Sequence, residues 1–424
     1  MAGALMLVMI PLKLNTIQQG YYYTFSSLIG MQIFFELGMN QVIVQMVSHN
    51  FAHIRVAGEK NGVIENQYLG RIVFLIRMLS KWYATAAILF FIVVGVIGAI
   101  FLQQKGNLPL HDWIYSWLIL TLAAAANLYF SAKLTVYEGC EQVTEVAKMR
   151  LAQSFIGYGF LWCGLSMGGG LWAIPLLNVV AVFYTAYWLN TREESFINLK
   201  NVTISLNGDI SWRKDIFPFQ WRIAVSWISG YFIFQLFTPL VFAKFGAVEA
   251  GQIGITLAMY GALLIVGMSW INAKVPTMSA MVSRKDWKNL NTLFVTLTWQ
   301  SMIFTLIGVI ALIGMQIVLT NFGLKISERV ASLPVVCCIA VMTLSNCFVS
   351  AAAAYMRAHL EEPMMWVSVA SGLATLAAAV LGSQVSIFFM MLLCAGINVL
   401  IVLPWTIVLF RLYYYRNRTC AKLC

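Results

Sequence analysis

The sequence predicts an all-α polytopic membrane protein of about twelve transmembrane helices, arranged as two six-helix lobes. Composition is the first reason. Of 424 residues, 61% are hydrophobic and only 10% are charged, whereas a soluble domain carries roughly 25% charged residues. The second is the length of the apolar runs. A helix rises about 1.5 Å per residue, so about 20 apolar residues cross a hydrocarbon core of about 30 Å. The runs lack the alternation of barrel strands, so helices are the spanning elements. The third is an internal repeat, in which short motifs recur in the same order at a nearly constant offset.

Taken in order, the apolar runs lie at 1–14, 20–48, 81–103, 112–138, 148–167, 171–189, 215–243, 248–274, 290–320, 329–358, 364–382 and 385–411. Charges or Gly/Pro breaks separate them. The polar intervals 49–80 and 190–214 are the sizeable ones, and their amphipathic character suits the membrane surface. The chain therefore divides into an N-terminal lobe at 1–190, a cytoplasmic linker at 191–214, a C-terminal lobe at 215–411 and a basic cytoplasmic tail at 412–424.

Orientation follows from the 27 Lys and Arg residues. If the loop after the second run is cytoplasmic, only Lys13, Lys105, Lys244, Lys325 and Arg329 fall on the opposite side. Lys133 and Arg222 lie inside spans, and all the others are cytoplasmic. This bias places both termini in the cytoplasm. It also accounts for the net charge of +11 without a nucleic-acid partner, since no basic cluster accompanies a nucleic-acid-binding fold.

The repeat is parallel. Pro11-Leu12 matches Pro239-Leu240, Gly20 matches Gly251, and Met46-Val47-Ser48 matches Met281-Val282-Ser283. Transporters are commonly built from such repeats, with the substrate bound between the halves. Pro11 lies much nearer the start of its span than Pro239 does. The first helix therefore reads as truncated, or as following a misassigned start.

Other features carry no chemistry. The eight cysteines lie mostly in apolar runs, with neither a CxxC pair nor a disulfide framework. His49 and His53 have the spacing of helical zinc ligands but no third ligand nearby, so no metal is expected. Trp113, Trp117, Trp172, Trp188, Trp366 and Trp405 lie near span ends, as an aromatic belt does. Gly168-Gly169-Gly170 breaks a helix and is not a phosphate loop, because no Lys-Ser/Thr follows it. Without a Walker motif the chain does not hydrolyse ATP itself. No cofactor is expected.

Two stretches carry a family likeness. QQGYYYTFSSLIGMQIFFELGMNQVIVQMVSHNFAH at 18–53 resembles the second-helix region of Wzx-type polysaccharide flippases, and FPFQWRIAVSWISGYFIFQLFTPLVF at 217–242 is similar to their seventh helix. These flippases belong to the multidrug/oligosaccharidyl-lipid/polysaccharide exporter superfamily. The resemblance implies a multi-pass protein of the bacterial inner membrane. It would move an undecaprenyl-pyrophosphate-linked oligosaccharide, such as an O-antigen unit of lipopolysaccharide, by alternating access. It further implies contact with membrane lipid and work alongside a polysaccharide polymerase and a chain-length regulator.

Such a substrate needs a wet, cationic path for its head. Arg222 sits in the first turns of a run that is otherwise apolar, where a charge costs at least about 2.5–3.5 kcal/mol. A planar guanidinium can bind a phosphate bidentately; alternatively, Arg222 snorkels to the interface. Ser226 and Ser229 share its helix face, and Gln220 lies close by. Tyr129, Lys133 and Tyr137 form a second stripe, in which Lys133 either meets a phosphate or pairs with Glu138 or Glu36. Glu36 is the most isolated acid, flanked on its face by Gln32 and Asn40. It is a candidate for proton coupling or for a structural ion pair with Lys133 or Arg222. Gln41 and Gln45 continue the polar lining.

Two other functions compete. An ion-coupled multidrug exporter of the same superfamily would share the layout, but inward-facing Arg222 and Lys133 disfavour cationic drugs. A membrane polymerase or ligase would carry a large external loop with reactive residues, whereas the loops assigned outside are short, as at 105–112.

Overall fold

The computed structural model describes residues 2–57, 62–196, 217–359 and 364–423. Of the expected linker at 191–214, only 191–196 fall within these ranges. Among the described residues there is no strand. The protein is an all-α polytopic membrane protein. Eight of its helices are long and apolar enough to cross a membrane, or up to ten if each of two bent pairs is one span.

The expected runs all appear as helix, and two of them fall outside that set. α1 (Ala2–Lys13) has 12 residues, fewer than a bilayer requires. α7 (Val143–Ser166) has 24 residues, but Gln153, Ser154, Gly157, Tyr158 and Gly159 dilute its apolar character. The second run is broken. α2 (Thr16–Ile29) passes through a 3-10 turn into the short α3 (Ile33–Glu36), and α4 (Met39–Ala57) leaves at 46°. The seventh run is also bent. α9 (Phe217–Phe234) meets α10 (Phe237–Phe245) at 42°. Pro239 explains this bend, because it has no N–H to give to the carbonyl four residues back. The Leu236 amide reaches instead to the Tyr231 carbonyl at 3.2 Å.

α2 begins with a capping box. Asn15 Oδ1 accepts from the Gln18 amide at 2.7 Å, and Gln18 Oε1 accepts from the Asn15 amide at 3.2 Å. Two otherwise unpaired helix-start donors are thus satisfied. A cap of this kind contributes about 1 kcal/mol.

The chain forms two compact units. The first comprises Met1–Gln18 and Phe25–Ile228. In it α4, α5 (Gly62–Lys105) and α6 (Leu110–Gly139) pack on one another, as do α6, α7 and α8 (Leu176–Phe196). Trp117 is fully buried and donates its indole N–H to the Gly95 carbonyl at 2.9 Å. A Cβ at Gly98 would lie 2.3 Å from the same indole, so α5 presents small residues where α6 presents a large one. At one end of the unit Tyr137 meets Trp188 edge-on at 5.2 Å, and the Arg192 guanidinium lies 4.9 Å from the Trp188 ring centre. Arg192 and Lys148 both bond Glu145, at 2.8 and 3.0 Å. These bonds, Lys148 first, hold the Glu145 carboxyl below its ordinary value of 4.5.

The second unit comprises Gln19–Thr24 and Ser229–Cys424. It contains α11 (Ala247–Gly267), α12 (Ser269–Ser283), α13 (Trp287–Asn321), α14 (Leu333–Arg357), α15 (Met365–Gly382), α16 (Ile387–Ile397) and α17 (Leu403–Leu423). Phe294, Tyr355 and Phe410 form an aromatic triangle in its core, with ring centres 4.7 to 5.3 Å apart. The backbone of the α13–α14 connector is paired by side chains. Gln19 donates to the Arg329 carbonyl at 3.0 Å, Gln252 to that of Glu328 at 2.8 Å, and Thr256 accepts from the Ala331 amide at 3.1 Å. Irregular backbone in an apolar protein needs such partners.

Candidate functional site: an acid at a broken helix beside the arginine helix

The second expected span breaks directly after Glu36. Leu37 and Gly38 both adopt left-handed backbone, with φ of 50° and 66°. A non-glycine residue pays roughly 1–2 kcal/mol for that conformation. The compensation is a polar bridge across the break. The Asn40 amide donates to Glu36 Oε1. Asn40 Oδ1 accepts from the Tyr83 phenol at 2.6 Å and from the Thr135 hydroxyl at 3.0 Å. Tyr83 stands on α5 and is fully buried, and Thr135 stands on α6. Two further helices therefore hold one carboxamide, which in turn holds the acid.

The break packs on the helix that carries the arginine. A Cβ at Gly38 would lie 2.3 Å from Ile223 Cγ2. Ile223 is buried, while its neighbour Arg222 is exposed with its guanidinium 5.7 Å from the Trp221 ring centre. Gln220 is buried, and Ser226 is half-buried. Ser229 is buried in the second unit, against the backbone of α15 at Gly372. The expected face of Arg222, Ser226 and Ser229 thus runs from an exposed start into a packed end.

Glu138 takes Arg150 as an ion-pair partner at 2.9 Å. Arg150 also lies near enough to Glu36 to act on it electrostatically. Its approach depends on the tight turn after α6, where Glu141 is left-handed and the Gln142 amide returns to the Tyr137 carbonyl at 3.1 Å. Lys133 is half-buried. It lies two residues from Thr135, which is roughly 200° around the helix, on the stripe that continues to Tyr137 and Trp188 of α8. Tyr137 is buried in a small core with Leu134, Val146, Met149 and Leu189. Tyr129 is half-buried beside Phe130, ring centres 5.5 Å apart. Gln32 is half-buried in the 3-10 turn, whereas Gln41 and Gln45 are exposed on α4.

Glu36 and Asn40 meet across the break, and not along the unbroken helix face that their spacing predicts. Tyr83, Thr135 and Arg150 are members of the network that the sequence reading did not single out. For Thr135 a signal existed, because Ser131 and Thr135 stand four apart on one face. Among the described residues no group of three His, Cys, Asp or Glu side chains could hold a metal.

No protein-family model and no curated protein matches the sequence. Solved structures match its fold. A multidrug-resistance transporter of the MATE family, within the MOP superfamily and inward-facing, superposes with a TM-score of 0.63 at 11% identity, covering 98% of this chain and 99% of that one. The lipid II flippase MurJ, in an inward closed conformation, gives 0.59 at 12% identity over 93% of this chain and 85% of that one. A MOP superfamily transporter from Pyrococcus furiosus, described as having a binding pocket of reversed polarity, gives 0.51 at 12% identity over 97% and 96%. The chain has the fold shared by these transporters.

Proposed function

We propose that the protein is a flippase for a lipid-linked oligosaccharide, an undecaprenyl-pyrophosphate-linked repeat unit of a surface polysaccharide such as O-antigen, and that it works by alternating access. The observation that carries this reading is the contact between Gly38 and Ile223. It joins the two stretches that resemble the polysaccharide flippases, and it sets an acid and an exposed arginine on either side of one packing point. Arg222 binds the pyrophosphate, since a guanidinium can give two parallel N–H bonds to phosphate oxygens. Glu36 is the coupling group, because a carboxylate held at membrane depth can exchange a proton for the charge it carries. Lys133 is the counterpart cation of the first lobe. In this reading the protein lies in the bacterial inner membrane with both termini cytoplasmic, and it hands its product to a polymerase and chain-length regulator. The fold match to a lipid II flippase fits a lipid-linked substrate.

The match to a MATE multidrug transporter favours a second reading, export of drugs. The cations Arg222, Lys133 and Arg150 weigh against cationic drugs. Reconstitution separates the two. Proteoliposomes loaded with lipid-linked oligosaccharide should move it between leaflets at a rate that Arg222→Ala lowers. Export of a cationic dye without movement of the lipid would support the second reading and reject the first.

A further inference from the structure

The geometry around the break points to Gly38 and Ile223 as a positioning pair, through which the state of Glu36 sets the placement of the helix that carries Arg222. The inference concerns a mechanical link, and its role in transport rests on the flippase reading.

Four observations on this chain lead to it. Glu36 is the last residue before the break, and it accepts a hydrogen bond across the break from the Asn40 side-chain amide. Asn40 is fixed on its other side by Tyr83 and Thr135, from two different helices. A change at Glu36 therefore cannot be absorbed by Asn40 sliding away. The residues left to move are Leu37 and Gly38, whose left-handed backbone is already the irregular part of the span. Gly38 has no side chain to cushion such a movement, because Ile223 Cγ2 occupies the place of its Cβ. Ile223 is β-branched, so its Cγ2 is tied to the α9 backbone by a stiff χ1. Displacement of Gly38 is thus passed to the α9 backbone one residue from Arg222. Closely packed elements pass small shifts on because they are hard to compress.

Among the described residues, Tyr83 of α5 and Arg150 of α7 act electrostatically with Glu36, and Arg150 is paired with Glu138 of α6. None of these three lies on α9, whereas Gly38 packs directly on it at Ile223.

The test measures the reaction of a cysteine beside Arg222 with N-ethylmaleimide. The full chain, with its natural cysteines replaced, carries Trp221→Cys and is purified in detergent. Glu36→Gln should change the modification rate by about fivefold or more, the lower range of a typical coupling. Adding Ile223→Ala, which removes the contacting methyl, should abolish that difference. Tyr83→Phe perturbs the same bridge without touching the acid and should shift the rate in the same direction, which keeps the test usable if Glu36→Gln fails to fold. An unchanged rate in the folded variants, or an equal change with Ile223→Ala present, overturns the link. Transport is read separately, in reconstituted vesicles. Loss of transport in Arg222→Ala together with an unchanged labelling rate would leave the flippase reading standing and remove the link. Normal transport in Arg222→Ala with the labelling shift present would do the reverse.

Discussion

Asn40 donates its side-chain amide to Glu36 across a break of two left-handed residues, so the acid and the irregular backbone of the second span form one feature. The same carboxamide is anchored by Tyr83 and Thr135. Replacing Glu36 with Gln keeps the shape and removes the charge. Transport should fall severely while the amount of inserted protein stays near wild type. Surface glycan and membrane abundance, measured in the same cells, check this, and normal glycan would leave Glu36 a structural role only.

Tyr83→Phe should act more mildly. It deletes one of two donors to Asn40, and a net hydrogen bond is worth about 1 kcal/mol. A modest drop in the detergent melting temperature is expected, with partial transport retained. No shift in melting would mean that the bond contributes nothing to stability.

Arg222→Ala should abolish transport without loss of the folded protein, because Arg222 is exposed. Arg222→Lys should restore only part of the activity, since an ammonium lacks the two-pronged edge of a guanidinium. Equal activity in Lys and Arg would reduce the role to charge alone.

Gly98→Ala tests the packing of the first unit. The new Cβ would lie 2.3 Å from the Trp117 indole, and overpacking of this kind costs typically about 1–3 kcal/mol. The melting temperature should fall, and a second change, Trp117→Phe, should recover part of it. An unchanged melt would show that α5 and α6 can separate freely there.

Glu145 gives a pH dependence. Its carboxyl is held below the ordinary value of 4.5, first by Lys148 and then by Arg192. A group with a depressed folded value contributes stability above its unfolded value, and that contribution is lost as pH falls through the folded one. Relative to Glu145→Gln, wild type should therefore be more stable at neutral pH, with the difference fading in acid below about pH 4.5. Melting curves of both proteins across that range check the sign. A difference that grew in acid would contradict the ion pairs with Lys148 and Arg192.

Orientation is tested by labelling. A cysteine at position 62 should react only from the cytoplasm, and one at position 107 only from the periplasm. The reverse pattern would invert the charge argument.

The spanning helices were legible because length and apolarity alone set them. Neither break was read from the sequence, although one of them left a signal there. Pro239 marks the bend between α9 and α10, since its missing donor is written in the sequence. The bend after Glu36 is not, because Leu37 takes a left-handed conformation that its own preference opposes. The network was half legible. A helical reading puts Glu36 and Asn40 on one face, but they meet across a break that it does not foresee. Tyr83 and Thr135 lie 43 and 95 residues from Asn40, and only tertiary packing brings them in. The pairing of Glu138 with Arg150 depends on the left-handed turn at Glu141, a position where glycine would have given the usual signal. Gly20 and Gly251, matched in the sequence as counterparts, lie backbone to backbone, with a Cβ at Gly251 falling 2.9 Å from the Gly20 nitrogen.

The central claim, movement of a lipid-linked oligosaccharide, is tested most directly by deleting the gene in its native host and locating the lipid-linked repeat unit. The account predicts that the unit accumulates on the inner leaflet while surface polysaccharide disappears, and that the intact protein restores both. Unchanged surface polysaccharide, with no accumulation of the unit, would contradict it.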